Sequence, residues 1–199
     1  MTKQIFAFPA EQASELMQQW VETMVVGLNL CPFAAPEVRN NTIRYAVSAA
    51  ERLETAAEDF LGELSNIQAK EEGELSTTLV SFTHCVADFD AFLDLLDLCQ
   101  DLLEQAGLEG VFQLASFHPN YCFSGVPEGD ISNWTNRAPF PTIHIIREGQ
   151  MSRVLVHYKN PDEIPERNMA LMETLGKEGL IKRFPPLAAY WESSSAGDD

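Results

Sequence analysis

The apolar positions of this chain change period several times, and each change marks an element. Ala13, Leu16, Met17, Trp20 and Met24 recur at steps of three and four, which predicts an amphipathic helix over Glu11–Leu28, closed by Pro32. Ile43, Tyr45 and Val47 then alternate with their neighbours, the period of a half-buried strand over Asn41–Val47. Ser48 is the expected cap of a second helix, from Ala49 to about Ala69. After the polar turn KEEGE, Ser76–Thr83 is a β-rich run, and Asp88 caps a long helix through Ala106 that stops at Gly107. Its apolar stripe is Phe89, Phe92, Leu93, Leu96 and Leu103. A third strand is predicted over Val111–Phe117.

Thr142–Tyr158 fits either a hairpin turning at Glu148-Gly149 or a helix. Met151, Val154, Leu155 and Tyr158, with Pro141 just ahead of the run, favour the helix. A last helix is expected from about Pro165 to Leu175, with Gly176 as its stop. The strand–helix–strand–helix–strand order predicts an α/β (or α+β) sandwich. Its sheet has about three to four strands, at least partly parallel, with crossover helices and further helices at both ends. One globular domain over 1–191 and a disordered acidic tail over 192–199 complete the outline.

Composition narrows the class of partner. The 199 residues carry a formal charge of −17, which disfavours a nucleic-acid backbone or an anionic membrane surface. No apolar run approaches the roughly 20 residues that cross a bilayer, and the N-terminal stretch lacks the h-region of a secretory signal, so a cytoplasmic protein is expected. Cys31, Cys85, Cys99 and Cys122 are widely separated and form no CxxC pair. From Glu51 to Glu109 only Arg52 and Lys70 oppose many carboxylates, whereas Val111–Trp191 is close to balanced. An anionic small molecule is therefore favoured in the second half.

That half also holds the segment richest in chemistry. Between Phe117 and Glu148, two histidines and two arginines bracket a long Pro/Gly/Asn-rich loop, and loops of that length in a compact domain are commonly functional. His118 ends the third strand, where its ring either faces a ligand at the sheet edge or caps loop backbone groups. His144 and Arg147 share a face only if their segment is helical; on a strand they point to opposite faces. A helix starting near Pro141 would lower the His144 pKa and offer N–H groups to an anion, and Arg137 would complete a bidentate clamp. The alternative is that Arg147 pairs with Glu148 or Asp130 as a loop staple. Asp130 and Asn133 are candidate substrate contacts and equally ordinary turn residues. Cys31, in LNLCPFA, is either a nucleophile or a buried thiol at a helix-to-loop turn. A zinc set from Cys31, His118, Cys122 and His144 has no support in spacing, so no metal is assigned. No GxGxxG, Walker-type, GxSxG or HExxH pattern occurs.

The strings LNLCPFA, FHPNYCFSG, DISNWTNR, APFPTIHIIRE and IPERN followed by LG, in this order, resemble an uncharacterised bacterial family, domain of unknown function 1415. The resemblance spans about Trp20 to Leu180. It implies that Cys31, Pro32, Phe33, His118, Pro119, Arg137, Pro139, Pro141, His144, Arg147 and Glu148 occupy the family's pattern, and Asn168 resembles a further position. It implies no activity and no cofactor.

The leading expectation is a small enzyme acting on an anionic metabolite, with Arg137 and Arg147 binding the negative group, His118 or His144 moving protons, and Cys31 nearby. Two alternatives stand beside it. One is a binding or assembly protein presenting its acidic helices to a basic partner. The other is a metal- or cofactor-binding protein using Cys31, His118 and His144.

Overall fold

The computed structural model describes residues 9–156 and 160–188, so Tyr158 and the tail at 192–199 lie outside the described residues. Its centre is one sheet of four strands, β1 (Ile43–Ser48), β2 (Thr77–Phe82), β3 (Phe112–Phe117) and β4 (Thr142–Arg147), in the order β1-β2-β4-β3. β1 and β2 are parallel, and β4 runs antiparallel to both of its neighbours, so the sheet is mixed. Helices α3 (Leu53–Gln68) and α4 (Phe89–Gln105) connect β1 to β2 and β2 to β3 as the element order predicts.

Both faces of the sheet are covered. On one, Val80, Phe82, Ile143 and Ile145 pack with Phe60 and Leu64 of α3 and Phe92, Leu95 and Leu103 of α4. On the other, Leu79, Tyr45 and Phe117 meet helix α1 (Ala10–Trp20), the loop residues Trp134 and Phe140, and helix α6 (Ile164–Arg183). Every residue of β2 is buried, as expected of a central strand between two layers. α4 is capped as its sequence indicates: the Asp88 carboxylate accepts from the backbone N–H groups of Asp90 and Ala91, and Gly107 follows with φ 69°.

The segment expected to be one helix, Thr142–Tyr158, is instead strand β4 followed by helix α5 (Glu148–Leu155). The β-branched run TIHII suits a pleated strand, and two ladders, to β2 and β3, decide the matter over local periodicity. Pro141 starts no helix; its carbonyl accepts from the Phe82 N–H at 2.9 Å. Ser48 is likewise not a helix cap. It ends β1, its hydroxyl donates to Asp59, and α3 begins only at Leu53.

The first predicted helix also differs in its second half. After Trp20 the chain winds as a π-helix over Val21–Val26. The Gly27 N–H bonds to the Glu22 carbonyl and the Leu30 N–H to the Val25 carbonyl, both spanning five residues. A short helix not anticipated from the sequence, α2 (Ala34–Asn40), follows. Gly176 breaks the last helix as expected, with φ 59° and ψ −179°, and a second helical stretch continues beyond it to Arg183, the two together making up α6.

Candidate functional site

The π-helical segment, the turn after it, α2 and α5 do not close fully onto the sheet. Between them lies a cavity of about 290 Å³. Its floor is one face of the sheet: Ile43, Thr77, Leu79, Ala115, Phe117, His144 and Ile146. Trp20, Val21, Val25, Phe33, Met151 and Val154 make its apolar walls, and Cys31, Glu37 and Gln150 also reach it. π-turns are rare and recur at functional sites, and this one presents Val21 and Val25, four residues apart, to the same space.

His144 is the polar centre of that floor. The Thr77 hydroxyl donates to the Ile145 carbonyl at 2.7 Å, which commits its proton. Its oxygen, 2.6 Å from His144 Nε2, must therefore accept, so Nε2 carries the imidazole proton and Nδ1 keeps a lone pair. Among the described residues nothing is hydrogen-bonded to Nδ1. It is not sealed off either, because the one buried side-chain polar atom without a partner among the described residues is Thr78 Oγ1. His144 is itself a lining residue of the cavity. Burial pushes the His144 pKa down to about 4, so the ring is neutral at physiological pH. The lowering expected from a helix terminus is replaced by desolvation, since His144 sits on a strand.

Cys31 is held in place from the far end of the chain. Asn168, buried in α6, donates to the Leu30 carbonyl at 2.7 Å, Arg167 donates to the Asn29 carbonyl, and Arg183 donates to the Gly27 carbonyl at 2.6 Å. These bonds fasten the turn that carries the thiol. Burial raises the Cys31 pKa, opposed only by backbone hydrogen bonds at Phe33 and Ala34, so the thiol is protonated. At the rim, Gln150 donates to Glu37 at 2.9 Å and accepts from the Ser76 hydroxyl at 2.7 Å, tying α5 to α2 and to the start of β2.

The other residues singled out from the sequence are placed elsewhere. His118 lies on the opposite face of the sheet, against Phe89 and Phe92 of α4. Its Nδ1 accepts from the Asn120 N–H at 3.0 Å, so its Nε2–H donates to the Val86 carbonyl at 3.1 Å. Both nitrogens serve the backbone. Arg147 also points away from His144, as alternation on β4 requires. Its guanidinium donates to the carbonyls of Ile67 in the last turn of α3, Lys70 just after it and Leu75 ahead of β2, and covers the Phe112 ring.

Within the long loop, Arg137 donates to the Tyr121 and Glu128 carbonyls and stacks on Trp134. Asn133 accepts from the Phe123 N–H and donates to the Pro127 carbonyl. Asp130 caps the short 3₁₀ turn Ile131–Thr135, and the Ser132 N–H holds its carboxyl below the ordinary range. The cleft beside Arg137 is lined also by Asp88, Asp90 and Glu128, so its charge does not favour an anion. Of the seven residues, only Cys31 and His144 share a cavity, and among the described residues no three His, Cys, Asp or Glu side chains gather as metal ligands.

The family model described as Protein of unknown function (DUF1415) matches residues 12–182. The chain belongs to this family. The match covers every element that lines the cavity, from α1 to the end of α6 but for its last residue and the first two of α1. No curated protein and no solved structure matches the chain. No helix among the described residues is long and apolar enough to cross a membrane.

Thr77, Glu37 and Gln150 are polar cavity residues that the sequence did not bring forward. Thr77 is the polar residue two before Leu79 on the same face of β2. Its pairing with β4 becomes visible only once Thr142–Arg147 is recognised as a strand.

Proposed function

We propose that this protein is a cytoplasmic binding protein for a small, uncharged, largely apolar molecule bearing one hydrogen-bond donor. The ligand occupies the cavity over β1, β2, β4 and β3 and donates to His144 Nδ1. The observation that carries this reading is a lone-pair nitrogen with no hydrogen-bond partner among the described residues, on a histidine that lines a largely apolar cavity, where an unmet acceptor favours a ligand that supplies the proton. A pKa of about 4 makes His144 a weak proton acceptor for catalysis near neutrality, which favours holding a ligand over transferring its proton.

The anionic metabolite expected from the His/Arg cluster is not carried into this proposal. Among the described residues no Lys or Arg lines the cavity, Glu37 does, and Arg137 and Arg147 donate to backbone carbonyls. Hexanol and hexanoate separate the two ideas, because at neutral pH the alcohol donates a proton and the carboxylate offers only negative charge. Calorimetry should show hexanol binding to the wild type and not to Ala115→Trp, which fills the cavity, with affinity reduced about five- to tenfold in His144→Phe. Preference for hexanoate would restore the anion reading and end this one.

A further inference from the structure

The cavity has a neighbour. A second cleft of about 530 Å³ lies beyond the π-helical wall, lined by Leu30, Phe123, Val126, Ile164, Pro165 and Met169, with Ser132, Thr135, Asn136 and Asn168 at its polar positions. The two spaces share Val25, Cys31 and Phe117 as common lining. Cys31 lines both spaces, and the turn that carries it is fastened by Asn168, itself a lining residue of the second cleft.

Resting on the binding function proposed above, we infer that the ligand is elongated: an aliphatic chain with a hydroxyl or similar donor at one end. The head group donates to His144 Nδ1, and the chain passes Val25, Cys31 and Phe117 to lie between the loop at Phe123–Val126 and the first turns of α6. The first cavity alone is at the lower bound of ordinary ligand sites, roughly 300 Å³, and the second extends the available space well into their usual range. Both chambers are chiefly apolar, and among the described residues neither is lined by a Lys or Arg side chain that would serve a charged group on the ligand as counter-ion. The thiol that lines both is small, apolar in character and kept protonated by burial, which suits a chain passing over it.

The test is a calorimetric series of hexanol, octanol, decanol and dodecanol on the full chain. Each methylene that leaves water for the second chamber should tighten binding by about fourfold, so affinity climbs through dodecanol. Met169→Trp and, independently, Val126→Phe narrow that chamber; either should flatten the climb beyond octanol while hexanol binds as in the wild type. Protection of Cys31 from alkylation should likewise be stronger with dodecanol than with hexanol. If hexanol binds the wild type but affinity levels off or falls for the longer alcohols, the elongated ligand is wrong and the binding function stands. If hexanol itself fails to bind, both are overturned.

Discussion

Thr77 Oγ1 stands 2.6 Å from His144 Nε2 and spends its own proton on the Ile145 carbonyl, so one threonine fixes the tautomer of the histidine beside it. The ring is thereby oriented in its neutral form, and protonation must add a charge deep in apolar surroundings. In the fold the pKa is about 4, below the ordinary 6.5, so between these values the unfolded chain binds more protons than the folded one. Stability from this group is therefore complete above about pH 6.5 and is lost as pH falls through about 4, by roughly 3 kcal/mol in all. Urea unfolding at pH 7 and pH 5 should show a larger loss for the wild type than for His144→Phe. Equal losses would mean that His144 titrates normally.

Arg147 is a structural cation. It donates to the carbonyls of Ile67 and Lys70, in and just after the last turn of α3, where the helix dipole also favours positive charge, and to that of Leu75 ahead of β2. Arg147→Ala leaves these acceptors unmet and should cost about 2–4 kcal/mol by urea unfolding. Arg147→Lys should recover only part of the loss, since a single ammonium cannot span the same fork. Hexanol affinity, measured where both variants are folded, should stay at the wild-type value; a selective loss of binding would return Arg147 to the site.

How much of this was legible depended on whether the signal was local. α4 could be outlined from Asp88, its apolar stripe and Gly107 because cap, face and stop all lie within the element itself. β4 could not, because its six residues are made a strand by partners far along the chain on both sides. That one misassignment carried into the site. On a helix His144 and Arg147 would have shared a face, and a strand sends them to opposite layers. Cys31 and His144 were recognisable as chemistry-bearing residues. What no local pattern could supply is that His118 turns toward α4, or that Thr77 sits under His144. Both depend on strand register and on which layer covers which face. The π-turn was hidden for a simpler reason: Trp20 and Met24 are spaced as well for a π-helix as for an α-helix.

Gly27 closes that π-turn at a point of close approach. A Cβ built there would lie 2.3 Å from the Thr23 carbonyl oxygen, although its φ of −64° is open to any residue. The obstacle is steric contact with backbone, so it cannot be relieved by a rotamer change. Gly27→Ala should destabilise the protein by about 1–3 kcal/mol and shift the turn that carries Cys31. Thermal unfolding reads the first effect, and a changed Cys31 alkylation rate reads the second. A variant as stable as the wild type, with unchanged alkylation, would show that the turn tolerates a side chain.

Cys31 offers a direct test of whether the cavity contains a nucleophile. Its thiol lines an apolar wall, and burial raises its pKa, with no histidine or arginine hydrogen-bonded to it among the described residues to draw off the proton. Iodoacetamide should therefore modify Cys31 more slowly than a free cysteine at pH 7.5, and the rate should keep rising past pH 9 without an inflection near neutrality. Peptide-level mass spectrometry distinguishes Cys31 from Cys85, Cys99 and Cys122. An inflection near pH 7 would reveal a thiolate stabilised inside the cavity, make the site catalytic rather than a container, and place His144 Nδ1 as the acceptor of its proton.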